Sequence, residues 1–536
     1  MVWICPDQRN VVNNGCRRFF ARTNSRPYCP SRTICDLVLQ VSTGTDFGIY
    51  LPTSDTHLLT WIVVVAIIHV SRASRRFVGT SLLWEVKVAN RTPEEKARVI
   101  SSALPGSLPC VPPLYPPPDM DLIQGFTSKL TASPGESIEF KVSSANDYDV
   151  KFTRIGITTR EIDRLSGLRG SIKPLENLPW EGCAWDTDFS WTVPAGTPST
   201  FYTAELVDTQ GSSFHIPFAV KPSGNKRSKV AVLASTNTWN AYNGWGGSSS
   251  YCAEQPRVTS LDRPMTSCLP AGEGRSHLIR GEGWILDWLN NTGFEHDLYG
   301  DLDLHSSWDW LSAYPVLIIS THSEYWTLQM RDHLDAYLQA GGNLLYLSGN
   351  GLFWKVTFDD DLRVMEVCRD GRAHTQTGEN GGLWRDLGRP EHSVTGVGYV
   401  REGYMTYAPY RVIKPDHWIF DGLELVKNDL VGSEGLHGDG ASGWEMDQVD
   451  MEWSPSNIEI IAEGINPADY MEPGFDAKFP DPNYNWDSKG GAHLTYYTHP
   501  GGGGIFSAGS ISFGASLAAD RQLQTMVSNV LNRFLF

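Results

Sequence analysis

Leu317-Ile318-Ile319-Ser320-Thr321-His322-Ser323-Glu324-Tyr325-Trp326 is an apolar run that stops abruptly in a hydroxyl, an imidazole, a carboxylate and a phenol. The run reads as a buried strand. Ligands in open α/β sheets sit outside the carboxyl ends of the strands, so the polar tail predicts a site. Outward from it the pattern repeats. Residues 229–234 form a second short apolar run and residues 344–347 a third. Between them, residues 278–291 place Ile285, Leu286 and Leu289 on one helical face. Met330, Leu334, Tyr337 and Leu338 fall at helical spacing behind Thr327 as N-cap, with Gly341-Gly342 as the stop.

Strand, helix, strand, helix, strand at this spacing predicts an α/β domain over 226–536. Its expected core is a mostly parallel sheet with covering helices, of the class I amidotransferase or flavodoxin-like type. Further strands are expected near 458–462 and 504–510, and a closing helix over 518–535. Residues 120–225 read differently. Ile138, Phe140 and Val142 share one face of a strand, as do Tyr148, Val150 and Phe152, and Pro134-Gly135 and Ala195-Gly196 mark turns. That alternation predicts a small immunoglobulin-like β-sandwich serving as scaffold. Residues 1–119 lack periodicity and end in a proline-rich linker, Pro112-Pro113-Leu114-Tyr115-Pro116-Pro117-Pro118, so they are expected to be poorly structured.

Composition narrows the function. A net charge of −17 argues against nucleic acid, which needs clustered Lys and Arg on phosphates. Five of the nine Cys lie in the first 110 residues and none forms a C-x-x-C pair, which disfavours a zinc site. Cys252 and Cys268 remain as a loop bridge at most. Residues 58–70 are strongly apolar but fall short of the roughly 20 residues of a spanning helix, so a membrane role is not expected. The start of the chain has no ordinary signal-peptide core, which favours the cytoplasm.

The ends of the three predicted strands gather polar residues on one sheet edge. The first loop interleaves Asn237, Asn240 and Asn243 with Trp239, Tyr242 and Trp245; the third is Ser348-Gly349-Asn350-Gly351. Neither Gly349-Asn350-Gly351 nor the glycine run 501–504 has the context of a phosphate loop. No G-x-S-x-G elbow and no cysteine at such an elbow supports a hydrolytic nucleophile, which turns attention to a metal. His322, Glu324 and Tyr325 are hard nitrogen and oxygen donors suited to iron or another first-row metal. Their plainer reading is a hydrogen-bonded structural pair beside a tyrosine. Glu379 and Glu445 are further candidate carboxylates, each a surface acid by default.

As a set, these motifs resemble the N,N-dimethylformamidase large (beta) subunit family in its C-terminal domain. The residues that carry the resemblance are Asn240-Ala241-Tyr242-Asn243-Gly244-Trp245-Gly246-Gly247, Thr321-His322-Ser323-Glu324-Tyr325-Trp326, Gly349-Asn350-Gly351-Leu352-Phe353-Trp354, Gly378-Glu379-Asn380-Gly381-Gly382-Leu383-Trp384-Arg385 and Phe506-Ser507-Ala508-Gly509-Ser510. The resemblance implies hydrolysis of a small amide at a mononuclear iron held by two tyrosines and a glutamate. By position it makes Tyr325 and Glu379 metal ligands, with Glu445, His322, Glu324 and Asn243 as catalytic candidates. The second tyrosine falls at Trp284, whose indole supplies no anionic oxygen. Glu282, His322 or Tyr242 is then the substitute, and the alternative is a non-catalytic pocket protein that has lost the metal. The expected partner is a small-molecule amide. Self-association is open, and no small subunit is evident from the chain.

Overall fold

The computed structural model describes residues 118–536 except 157–158, 176–177, 224–227, 252–257, 269–276 and 468–489, with the backbone of Gln40–Val41 and Phe47–Gly48. The apolar stretch 58–70, the linker up to Pro117 and Cys252 lie outside the described residues. Contacts divide the chain into units Met1–Thr92 and Pro93–Phe536. In the first, Gln40–Val41 pairs antiparallel with Phe47–Gly48; the rest concerns the second.

The quoted apolar run forms the strand Val316–Thr321, buried along its whole length. Side chains alternate across a strand, and the run therefore serves two cores. Val316 and Ile318 pack on one face with Leu345, Leu347, Ile285 and Val527. Leu317 and Ile319 pack on the other with Leu344, Tyr346, Leu334 and Leu338. Removing each such side chain from water stabilises the fold by about 1.5–3 kcal/mol, so the strand is fixed from both sides. The helices Ile279–Thr292, Leu328–Gln339 and Arg521–Leu535 supply many of these partners. Thr327 caps the second, accepting from Met330 N.

Val316–Thr321 lies in a nine-stranded sheet. In spatial order the strands are His296–Gly300, Val230–Ala234, Val316–Thr321, Asn343–Ser348, Gly504–Ser507, His493–Thr498, Glu459–Gly464, Tyr410–Val412 and Leu430–Val431. The first five run parallel. Every later pairing is antiparallel. Further small sheets surround this one. One contains Val258–Ser260, Val364–Val367, Trp354–Phe358 and Tyr325–Trp326, where Tyr325 pairs with Trp354.

The predicted flavodoxin-like domain, mostly parallel with covering helices, is thus corrected. The chain builds several mixed and antiparallel sheets, with helix as the minor element. Parallel neighbours need a long crossover, whereas a short connection returns the chain antiparallel. The region read as strand–helix–strand has such crossovers, whereas His493–Thr498 and Gly504–Ser507 are joined by a short turn. The glycine run shows this directly. His499 N donates to Gly503 O and Gly502 N to His499 O, each at 2.8 Å. That hairpin joins His493–Thr498 to Gly504–Ser507, with Thr498 opposite Gly504.

Upstream, a five-stranded sheet and a three-stranded sheet share a core. Ser137–Ser143 and Tyr148–Arg154 meet across it, with Phe140 set edge-on to Phe152 at 5.6 Å. This part joins the nine-stranded part directly. Trp245 Nε1 donates to Gln124 Oε1 at 2.7 Å, and Lys221 pairs with Asp303 at 2.7 Å.

Gly502 has φ +99°, a backbone that disfavours any L side chain. Gly502→Val should lower stability by about 1–2 kcal/mol in urea unfolding. An unchanged midpoint would show that the turn does not set the antiparallel return.

Candidate active site

The polar tail of Val316–Thr321 leaves the sheet through a strained residue. Thr321 is β-branched and has φ +60°, a conformation costly for such a side chain. Asn350 (φ +49°), Leu352 (φ +53°) and Trp444 (φ +71°) share the left-handed region. Thr321, Asn350 and Trp444 each lie beside or within the set of polar residues described next. Strained backbone held by its surroundings is common at functional sites.

His322 is fully buried. Its Nδ1 lies 2.9 Å from Gly349 O. A carbonyl only accepts, so Nδ1 carries the proton and Nε2 is the face turned to the cluster. Around Nε2 stand Tyr242 Oη at 3.1 Å, Glu324 Oε2 at 3.2 Å and Glu445 Oε2 at 3.6 Å. Burial alone would lower the imidazole. The bond to Glu324 and the charges of Glu445 and Glu324 outweigh it, and the group is raised to about 9. Burial raises Glu445 to about 7, with His322 opposing. Asn350 Nδ2 donates to Glu445 Oε2 at 2.8 Å.

Three tyrosines close the other side. Tyr251 Oη donates to Glu324 Oε2 at 2.5 Å, and the Tyr251 ring centre lies 4.3 Å from that of Tyr242 and 6.5 Å from that of Tyr325. Arg369 Nη2 donates to the Tyr325 hydroxyl at 2.5 Å, and its guanidinium lies 4.7 Å from the Tyr251 ring centre. Arg369 also donates to Ser250 O. Burial pushes the Tyr325 phenol up, and the Arg369 charge pulls it back. Tyr325 is 1% exposed, whereas Tyr251 is 37% exposed although its hydroxyl is buried.

Of the residues singled out from sequence, the structure brings together Tyr325, Glu324, His322, Glu445 and Tyr242, with Asn350 bonded to Glu445. It gives the others different work. Glu379 pairs with Lys355 at 2.7 Å with 30% of its side chain exposed; the carboxylate that accepts from the Tyr251 hydroxyl is Glu324. Asn243 donates to Pro264 O and accepts from Trp245 N and Thr266 N, so its amide serves the loop backbone. Asn237 and Asn240 likewise bond Tyr325 O and Thr259 O. Trp284 lies on Ile279–Thr292 against the Arg280 guanidinium, 5.3 Å from the ring centre. Glu282 accepts from Ser235 N at 3.0 Å and Trp239 Nε1 at 3.3 Å, and burial raises it to about 7. Tyr251 and Arg369 escaped the sequence reading, because each sits in a loop with no periodicity or motif to single it out.

Residues 160–526 match the family described as N,N-dimethylformamidase beta subunit-like, C-terminal. The chain belongs to this family. Two curated relatives named N,N-dimethylformamidase beta subunit agree. That of Paracoccus aminophilus is 30% identical over 424 residues, covering 66% of this chain and 55% of the relative. That of Alcaligenes sp is 29% identical over 425 residues with the same coverage. The chain thus spans about half the length of the dimethylformamidase subunits it matches. A solved Paenibacillus sp. cycloisomaltooligosaccharide glucanotransferase, complexed with cycloisomaltoheptaose, aligns at TM-score 0.15 and 9% identity, covering 55% of this chain and 61% of that one. That likeness carries no argument about the fold.

Among the described residues, no three His, Cys, Asp or Glu side chains are grouped so as to hold a metal, and no helix is long and apolar enough to cross a membrane. Tyr251 and Glu324 are joined through their oxygens, and the Tyr325 ring stands edge-on to Tyr251 with its centre 6.5 Å away. Two phenols and a carboxylate are hard donors of the kind that suits iron.

Below the cluster, Asp447 accepts from Asn350 N at 2.8 Å and from Tyr346 Oη at 2.7 Å, and burial raises it to about 7. An acid raised on folding keeps its proton longest in the folded state. Its contribution to stability therefore falls as pH rises from about 4 to about 7, then levels off. Asp447→Asn should gain stability relative to the parent across that window in urea unfolding at stepped pH. Curves that stay parallel would show that Asp447 is not held protonated.

Proposed function

We propose that this chain hydrolyses the C–N bond of a small amide at the Tyr325 cluster, with iron as the metal. The observation that carries the reading is the gathering of two tyrosines and a glutamate in a dimethylformamidase-family chain: Tyr251 Oη donates to Glu324 Oε2, and its ring stands edge-on to that of Tyr325. These three side chains would hold the ion. When bound, iron supplies Lewis acidity toward the amide oxygen and lowers the pKa of water.

The chain's own residues account for the proton chemistry. Arg369 donates to the Tyr325 oxygen and favours its anionic form. Glu445, raised to about 7, is matched to a general base that takes a proton near neutrality and returns it to the leaving nitrogen. His322, anchored on Gly349 O, presents Nε2 between Glu324 and Glu445 and carries positive charge there. The relatives are named as a beta subunit, and assembly with a second subunit or a further copy belongs to the same proposal.

The test is metal analysis of the purified chain with amine release from formamides. Iron should be stoichiometric, and Tyr325→Phe and Glu324→Gln should each remove both iron and turnover. Full turnover without iron would overturn the metal reading. The kcat/KM profile should rise through about pH 7 as Glu445 loses its proton. Glu445→Gln should abolish that limb and slow turnover by about 100-fold or more. A profile unchanged in Glu445→Gln would remove it as the base.

A further inference from the structure

The helix Thr236–Tyr242 reaches several members of the site. Thr238 Oγ1 accepts from Glu324 N at 3.1 Å, and Asn237 Nδ2 donates to Tyr325 O at 3.2 Å. At the far end Tyr242 Oη lies 3.1 Å from His322 Nε2. The segment from His322 to Tyr325 therefore takes its place from where this helix sits. Isolated helices shorter than about 12 residues are marginal in water, and this one has seven. What grips it decides its position.

The helix does not secure its own start. The first turn of a helix leaves N–H groups with no partner inside the helix, and the Ser235 side chain at the N-cap makes no capping bond. Two carboxylates from elsewhere in the chain do that work. Glu282 Oε1, on Ile279–Thr292, accepts from Ser235 N at 3.0 Å and from Trp239 Nε1 at 3.3 Å. Asp301 Oδ2 accepts from Asn237 N at 2.8 Å, and Asp301 N donates back to Thr236 Oγ1 at 3.2 Å. Gly300 lets these starts approach, since a Cβ there would stand 3.3 Å from Thr236 Cγ2. Glu282 and Asp301 are each 1% exposed. Buried acids are tolerated where hydrogen bonds hold them, and these bonds run to the helix that carries Thr238 and Tyr242.

We infer that Glu282 is a positioning residue for the site. From Ile279–Thr292 it fixes the start of Thr236–Tyr242, and through Thr238 and Tyr242 that helix sets Glu324 and His322 against Glu445. Asp301 holds the same turn from the end of the strand His296–Gly300. The consequence for turnover rests on the amide-hydrolase reading above; the placement does not.

Hydrogen exchange of the full chain, read by mass spectrometry, checks the placement. Glu282→Ala should speed exchange across 235–242 and 321–326 by about tenfold or more and leave Tyr148–Arg154 unchanged. Glu282→Gln keeps the oxygen that accepts from Ser235 and Trp239, and should stay within about twofold of the parent. Asp297→Ala is the control. Its Oδ2 accepts from Ser228 N at 2.8 Å and Tyr314 Oη at 2.7 Å, outside the site, and its loss should leave both segments within about twofold. If Glu282→Ala does not fold, Glu282→Asp, one methylene shorter, is read the same way with about threefold expected. In amine release from formamides, Glu282→Ala should lower kcat by about tenfold or more with KM near that of the parent, and Glu282→Gln should restore it. Unchanged exchange in Glu282→Ala, equal opening in Asp297→Ala, or no recovery in Glu282→Gln would each overturn the inference. So would full kcat in a Glu282→Ala chain whose two segments have opened. A parent that cleaves no formamide while Glu282→Ala opens both segments removes the hydrolase and leaves the positioning of the cluster standing. A cleaving parent with unchanged exchange in Glu282→Ala does the reverse.

Discussion

The bond from His322 Nδ1 to Gly349 O joins the ends of two neighbouring strands, Val316–Thr321 and Asn343–Ser348. The site is arranged around it. It fixes which imidazole nitrogen meets Glu324, Glu445 and Tyr242, and it ties the tail of one strand to the loop of the next. Its cost is visible in the backbone. Thr321 turns into the left-handed region to deliver His322, and Asn350 does so just past Gly349. Such strain persists only where the surroundings over-determine it. The two cores that grip alternate residues of Val316–Thr321 provide that constraint.

The parallel half of the sheet supplies the edge; the chain that follows completes the site. Glu445 arrives on a short segment between Ser442–Gly443 and Met446–Gln448, whose Asp447 N bonds Gly509 O. Gly509 follows the strand Gly504–Ser507, the last of the parallel strands and the first with an antiparallel neighbour. The change in strand direction therefore lies beside the site, where it brings a late carboxylate against an early histidine. Tyr325 meanwhile belongs to a separate small sheet through its pairing with Trp354, and Arg369 follows that sheet's strand Val364–Val367.

The buried charges account for the crowding. Glu324, Glu445 and His322 share one small volume, and Arg369 stands at its tyrosine side. Two carboxylates so close would repel each other, and the cations between and beside them make the arrangement tenable. Glu282 and Asp447 are likewise raised by burial, each held by backbone N–H donors. An interior this rich in acids depends on hydrogen bonds that only the complete fold provides.

The sequence by itself determined the strands and helices with strong periodicity, the polar tail at Thr321–Trp326, and the family. Apolar spacing is local and survives in one dimension, as the closeness of the expected run to Val316–Thr321 shows. It did not determine the sheet's second half, because short strands joined by loops leave little periodic signal and their direction follows from how each connection closes. Nor did it determine which side chains meet at the site. The tertiary structure sets Tyr251 Oη on Glu324, Arg369 Nη2 on the Tyr325 hydroxyl and Lys355 on Glu379. Which oxygen meets which depends on the approach of loops distant in the chain, fixed by strand pairing, left-handed turns and close-packed glycines rather than by any local pattern.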